Sequence, residues 1–310
     1  MGDGGIERTF LKSKFTTMQI KDYQTKDVPN WCPGCGNYGI QVALKSALAE
    51  VGVPTHELAI ATGIGCGSKI NHWVKCYGFE GLHGRPLPVA TGIKLANPSL
   101  TVIAIGGDGD GYGLGMGHFI HSMRRNLDIT YIVQDNQIYG LTTGQTSPTS
   151  STGIKTKSTP FGAIEMPVNP IELALASGAT YVARGYAGDI PHLSGLISGA
   201  LQHKGFALID VLQPCVTFNK INTYDFFAER VYKLEEDKSF NVGGVWLDGT
   251  RFGVEEAFKR ASEWDKRIAI GLFYKENRPT YEEMEIGLKN GRPVDVPEEV
   301  EIGEVMGRFK

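Results

Sequence analysis

Leu100 to Leu141 reads LTVIAIGGDGDGYGLGMGHFIHSMRRNLDITYIVQDNQIYGL. Two short apolar runs rich in β-branched residues, Leu100 to Ile105 and Ile129 to Val133, enclose a glycine-dense turn and a helical pattern near Leu114 to Arg125. Strand, helix, strand is a βαβ unit, so the two strands are parallel and both turns open at one edge of the sheet. Asp108 follows the first strand and Asn136 the second. Each brings a hard oxygen ligand to the crevice where open α/β sheets bind ligands. One carboxylate, one amide oxygen, a backbone carbonyl and phosphate oxygens suit octahedral Mg²⁺, and the glycines let backbone amides approach the phosphates. A dinucleotide-type glycine turn is the plainer alternative, but neither G-x-G-x-x-G nor G-x-x-x-x-G-K occurs in this turn.

At 310 residues the chain can bury a full core. Its 41% apolar and 21% charged residues, with a net charge of −3, point away from nucleic-acid and membrane partners. No apolar run approaches the roughly 18 to 20 residues of a membrane span. Met1 to Asn30 is charged throughout and lacks a signal-peptide core, so a cytoplasmic location is expected. In that compartment five cysteines speak for metal or catalysis rather than disulfides.

Trp31-Cys32-Pro33-Gly34-Cys35-Gly36 forms a tight turn before an amphipathic helix from about Tyr38 to Glu50. A Cys-x-x-Cys turn there serves a redox dithiol, a zinc knuckle or an iron–sulfur cluster. Cys66 follows a buried strand, Leu58 to Ala61, and Cys215 follows another, Phe206 to Leu212. If all strands are parallel, Cys66, Cys215 and the Cys32–Cys35 pair meet at the edge where the Asp108 and Asn136 turns open. One knuckle and two single cysteines favour a cubane cluster over zinc, whose ribbons use two knuckles. Cys76 is left over as a small core residue, and His118 and His121 read as packing or surface residues.

The rest of the chain is expected as helices at Val89 to Ala96, Pro170 to Ala176 and Pro191 to His203, strands at Tyr181 to Arg184 and Ile268 to Tyr274, and an amphipathic helix marked by Val254, Ala257, Phe258, Ala261 and Trp264. This alternation completes a doubly wound, mostly parallel α/β sheet. The domains read as an arm (1–30), a cofactor-binding unit (31–215) and an extension (216–310) packed on the same unit and on a partner. The start of the long Ser/Thr/Lys-rich loop 144–160 belongs to the cofactor turn, and the rest is long enough to be a lid or a partner contact.

The ordered motifs WCPGCGNYGI (31–40), TGIGCGSKI (62–70), LHGR (82–85), ATGIKLANP (90–98), GGDGDGYGLGMGHF (106–119), DNQIYGLTTGQTSPT (135–149), VNPIELALASG (168–178), VARGYA (182–187) and ALIDVLQPC (207–215) closely resemble the β subunit of the 2-oxoacid:ferredoxin oxidoreductases. Within them, Gly107-Asp108-Gly109 followed by Asp135-Asn136 resembles the diphosphate signature of thiamine-diphosphate enzymes, with Asp135 where asparagine is more common. The resemblance implies that Asp108, Asn136 and the carbonyl of Ile138 ligate Mg²⁺, and that Cys32, Cys35, Cys66 and Cys215 hold one [4Fe-4S] cluster. It implies that Ile64, Gly65, Cys66, Gly67, His83, Gly107, Gly109, Asp110, Ile138, Gly140 and Leu141 contact thiamine diphosphate. Lys69 would face the substrate carboxylate, with Leu141 and Thr143 over the reactive ring.

The implied reaction is oxidative decarboxylation of a 2-oxoacid, 2-oxoglutarate before pyruvate, with coenzyme A as co-substrate and ferredoxin as electron acceptor. The activating glutamate and the pyrimidine-binding domain would come from an α subunit, in an αβ pair that assembles further to (αβ)₂. Two other readings stay open: a non-redox thiamine decarboxylase with structural zinc, and a scaffolding subunit that binds cofactor without turnover.

Overall fold

Strands β1 (Leu58–Thr62), β2 (Tyr77–Glu80), β3 (Thr101–Gly107), β4 (Thr130–Asp135), β5 (Tyr181–Tyr186), β6 (Ala207–Leu212) and β7 (Val231–Lys233) precede a small antiparallel hairpin, β8 (Val245–Leu247) with β9 (Thr250–Phe252), and a final strand β10 (Ile268–Lys275). The computed structural model describes residues 18–247, 250–295 and 302–307. Eight of these strands make one sheet in the order β2-β1-β3-β4-β6-β5-β10-β7. Its pairings are parallel except β10 with β5. The expected doubly wound, mostly parallel sheet is therefore what the chain forms.

β1, β4, β5 and β6 are buried at every position. Helices cover both faces, which is why these strands read as unbroken apolar runs. Successive side chains divide between two cores, as strand geometry requires. Ile60, Ile103, Ile105, Ile132 and Ile209 pack beneath α1 (Asn37–Val51), and Ala59, Ala61, Val102, Ala104 and Val133 pack beneath α2 (Pro86–Ala96) and α3 (Met116–Arg125). α4 (Pro170–Ala176) adds Ile171 and Leu175 to the second core, and α5 (Ile190–Gln202) adds Leu193 and Ile197 to the first. After short α6 (Tyr224–Ala228), α7 (Val254–Ala261) closes the second core with Ala257 and Ala261.

Three differences from the sequence reading have physical causes. β2 is exposed at all four positions, so it carries no burial pattern to read. The helix expected from Leu114 begins at Met116, preceded by a π-helical turn, Gly109–Leu114, into which the glycine run opens. The extension past Cys215 supplies two strands of the main sheet, with β10 running against β5. Of the expected arm, residues 1–17 lie outside the described residues. Tyr23 is fully buried, its hydroxyl 2.9 and 2.5 Å from the carbonyls of Leu48 and Val53 at the end of α1. Among the described residues no helix is long and apolar enough to cross a membrane.

Candidate active site at the carboxyl edge of the sheet

Four adjacent parallel strands, β1, β3, β4 and β6, deliver the turns at Ile64–Gly67, Asp108, Asn136 and Cys215 to one edge. The chain steps outward from β1 to β2 and returns past β1 to β3, so the winding reverses between β1 and β3. A crevice opens at such a reversal. Asp110 closes its root: Oδ1 accepts from the backbone N–H groups of Ile64 (2.9 Å) and Gly84 (2.7 Å), and His83 Nδ1 lies 2.9 Å from the same oxygen. Burial pushes the Asp110 carboxyl up, opposed by those two N–H groups and by His83. A Cβ on Gly63 would collide with this carboxylate, so the approach of β1 requires glycine there. Asp110 thus ties three turns together and holds His83 at the rim.

The crevice is small, about 80 Å³, and all eleven residues assigned to thiamine diphosphate in the sequence line it together with Asp108 and Asn136. Gly65 stands there at φ 141°, a backbone conformation that favours glycine, with nothing within 4 Å of a Cβ position. Asp108 is fully buried; burial pushes it up, and hydroxyl groups of Ser147 and Thr149, with no basic group, oppose that. Asn136 donates through Nδ2 to Gln213 Oε1 (2.8 Å), and its Oδ1 accepts from Ile138 N–H (3.1 Å). A buried carboxylate without a cationic partner, beside an amide oxygen of fixed orientation, fits a hard divalent cation. Asp108, Asn136 and the Ile138 carbonyl are the residues that would hold it.

Thr149 completes this turn and was not legible in the sequence. Its Oγ1 lies 2.7 Å from Asp108 Oδ2 and 2.8 Å from Asp135 Oδ1. Burial, with the nearby carboxylates of Asp210 and Asp108, pushes Asp135 well above the usual carboxylate range. One hydroxyl proton cannot serve two carboxylates. A proton held on the raised Asp135 carboxyl would let Thr149 donate to Asp108, while Asp135 Oδ1 also accepts from the Gln137 N–H (3.2 Å). The start of the long loop is therefore part of the site: Ser147–Ser150 is folded against it, with Ser150 Oγ donating to the carbonyl of Gln137 (2.6 Å).

Next to the crevice lies a larger cavity of about 240 Å³ that Cys32, Cys35, Cys66 and Cys215 all line, with Lys69. The Cys35 N–H to Cys32 carbonyl bond (3.0 Å) closes the Cys-x-x-Cys turn, and Trp31 Nε1 donates to the carbonyl of Cys66 (2.6 Å). Burial pushes the Cys35 thiol up to about 11; the N–H of Asn37 at the start of α1 opposes this, and the three other cysteines add to it. Among the described residues no three His, Cys, Asp or Glu side chains converge closely enough for a single metal ion. Four thiols around an open cavity suit a group larger than one ion. Crevice and cavity share a wall made of Cys66, Asn136, Gly140 and Leu141. Cys76 stands apart, its thiol donating to the carbonyl of Val74 (3.3 Å).

The residues assigned to substrate divide. Lys69 lines the cysteine cavity and Leu141 lines both spaces. Thr143 stands exposed at the tip of the turn at φ 77°, outside both linings, while Thr142 lines the crevice. The turn Tyr139 to Gln145 folds back on itself, which carries Thr143 away. Gln134, Thr149, Gln213 and Asn219 were missed; Asn219 Nδ2 donates to the carbonyl of Asn136 (3.0 Å). Polar residues in strand ends and loops carry no periodic signal, and their role depends on which turn they meet.

Comparison with known proteins gives concordant matches. Residues 52–211 match the thiamine pyrophosphate enzyme, C-terminal TPP binding domain, and residues 215–290 match the C-terminal family of the pyruvate ferredoxin oxidoreductase beta subunit. The chain is 46% identical over 281 residues to a 2-oxoacid:ferredoxin oxidoreductase subunit beta of Saccharolobus solfataricus, covering 90% of this chain and 92% of that one. It is 43% identical over 245 residues to the 2-oxoglutarate oxidoreductase subunit KorB of Mycobacterium tuberculosis, covering 76% and 65%. A solved 2-oxoglutarate:ferredoxin oxidoreductase from Magnetococcus marinus, with 2-oxoglutarate, coenzyme A and succinyl-CoA bound, superposes with a TM-score of 0.83 at 38% identity, covering 96% of this chain and 98% of that one. Built on a thiamine-diphosphate-binding domain, the chain belongs to the β subunits of the 2-oxoacid:ferredoxin oxidoreductases.

Proposed function

We propose that this chain is the diphosphate-binding and electron-carrying half of a 2-oxoglutarate:ferredoxin oxidoreductase, which with coenzyme A yields an acyl-CoA and CO₂. What carries the reading is the shared wall: Cys66, Asn136, Gly140 and Leu141 border both the crevice and the cysteine cavity. When bound, thiamine diphosphate and an iron–sulfur cluster supply the electron sink and the one-electron carrier this reaction needs. Asp108, Asn136 and the Ile138 carbonyl hold Mg²⁺, and through it the diphosphate. Cys32, Cys35, Cys66 and Cys215 hold one [4Fe-4S] cluster. Lys69, half-buried beside the thiols, offers a compact positive charge to a substrate carboxylate. Asp110 braces the turns and holds His83 at the crevice rim.

Residues 31–215 form the cofactor-bearing unit and 216–310 its extension. An α subunit supplies the pyrimidine-binding domain and the activating glutamate, in an (αβ)₂ assembly that works in the cytoplasm and passes electrons to ferredoxin. The choice of 2-oxoglutarate rests on the relatives named for that acid and on the solved neighbour. Broad 2-oxoacid specificity is the second reading, favoured by the name of the 46% identical relative, which specifies no single acid.

Anaerobically purified complex should contain roughly four iron and four acid-labile sulfide per β chain and show a reduced-cluster EPR signal on adding 2-oxoacid with coenzyme A. Zinc without sulfide would reject the redox reading. Comparing kcat/KM for 2-oxoglutarate and pyruvate decides the substrate, and a strong pyruvate preference would reject the choice made here.

A further inference from the structure

We propose that Gln213 is a positioning residue that joins the metal-binding turn to the cysteine cavity through one side-chain amide, and so sets both the metal affinity of the first and the reduction potential of the group held in the second. The proposal rests on the functional reading above. Gln213 is 1% exposed, and both ends of its amide are engaged. Oε1 accepts from Asn136 Nδ2 (2.8 Å); Nε2 donates to the carbonyl of Pro214 (2.8 Å) and lies 3.4 Å from Cys35 Sγ. Two amide protons and one acceptor thus meet one carbonyl, one sulfur and one donor. Reversing the amide would set its NH₂ against that of Asn136, so the arrangement has one sense only.

Its base is rigid. The Gln213 N–H bonds to the carbonyl of Asp135 (2.9 Å), extending the ladder between β4 and β6 past the strand ends. On the other side the Cys-x-x-Cys turn presses against it: a Cβ on Gly36 would lie 2.9 Å from Gln213 Cγ. Towards the crevice, Gln213 holds the NH₂ end of Asn136 and thereby keeps Oδ1 on the side of the Ile138 N–H (3.1 Å), fixing the amide of a crevice-lining residue. Towards the cavity, an N–H aimed at a thiolate ligand stabilises the more negative, reduced state of a cluster and raises its potential. Gln213 itself transfers neither proton nor electron. It sets the two sites it touches.

The test uses the assembled αβ complex with Gln213→Met, which keeps the volume and removes both hydrogen-bonding ends, and Gln213→Glu, which keeps the acceptor for Asn136. EPR-monitored redox titration reads the cluster, and thiamine-diphosphate uptake against Mg²⁺ concentration reads the turn. Gln213→Met should lower the reduced-to-oxidised ratio at fixed potential roughly tenfold, about 59 mV for a one-electron couple. It should also raise the Mg²⁺ concentration for half-uptake roughly tenfold. Gln213→Glu should move the potential the same way and leave the Mg²⁺ requirement near that of the parent. An unchanged potential in a cluster-loaded variant, or a loss of thermal stability with neither shift, overturns the proposal. If Gln213→Met does not assemble, the potential of Gln213→Glu decides alone. A parent complex without a cluster overturns the functional reading together with the proposal, whereas a loaded parent with insensitive variants overturns the proposal only.

Discussion

At the amino edge of the sheet Asn126, in the left-handed conformation that ends α3 (φ 55°), donates to the carbonyls of Arg278 and Pro279 at 3.1 Å and accepts from Thr180 (2.7 Å) and Phe206 N–H (3.0 Å). Nearby, Lys94 pairs with Asp128 at 2.7 Å and donates to the carbonyl of Leu100 at 3.0 Å. At the carboxyl edge Asp110 and Gln134, which line the crevice, are as deeply buried, yet each leaves a side-chain oxygen without a hydrogen-bond partner, as His203 Nδ1 also does at the amino edge. An unpaired buried polar group costs about 1 to 3 kcal/mol. Polar groups that bond to one another stabilise the fold, and those left open keep their capacity for a ligand. The Asn126 and Lys94 clusters are closed by their own bonds, whereas the crevice keeps open acceptors.

Asp108→Ala is the severest way to break this contrast. Activity of the complex should fall by roughly 100-fold or more, because the carboxylate proposed to hold Mg²⁺ is gone, while thermal stability stays level or rises as a buried, raised carboxyl is removed. Unfolding instead of inactivation would mean that Asp108 is structural. Thr149→Val tests the support beneath it. The Mg²⁺ concentration for half-uptake of thiamine diphosphate should rise roughly 10- to 100-fold, with Thr149→Ser close to the parent. Equal Mg²⁺ requirements in Val and Ser variants would reduce the loop segment to packing.

The smallest effect belongs to the amino edge. Burial, with the charge of Lys275 added, pushes His203 down to about 4. Its Nε2 lies 2.8 Å from Thr180 Oγ1. Between about pH 6.5 and 4 the unfolded chain binds a proton that the native chain does not, so stability falls as pH drops through that window and levels off below it. The loss should be roughly 2 kcal/mol, read from denaturant unfolding at pH 7 and pH 4.5. His203→Gln should flatten that slope without moving kcat. An identical slope in the variant would assign the acid sensitivity to other groups.

Much of this site was legible because its main parts are contiguous in the chain. The glycine turn with Asp108, the Asp135-Asn136 turn and the Cys-x-x-Cys turn each bring their chemistry on a few adjacent residues; apolar strands of the right length precede the first two, and the third opens α1. Parallel pairing puts the ends of β1 and β6, and so Cys66 and Cys215, at one edge, and the Cys32–Cys35 pair joins them because it opens α1, which leads back to the start of β1. Thr143 stands outside both linings because a reversing turn carries it away from a cleft that its neighbour Thr142 lines.

By itself the sequence determined the class of sheet, the turns that carry oxygen and sulfur side chains and the edge where they meet, since apolar periodicity and turn chemistry are local properties. Only the tertiary structure decided what sits behind those turns. Thr149 touches Asp108 across 41 positions of chain, and Gln213 touches Asn136 across 77 and Cys35 across 178. β10 enters the sheet against β5 from beyond the last motif. Such contacts leave no local trace, because a buried amide or hydroxyl takes its role from the distant partner that satisfies it.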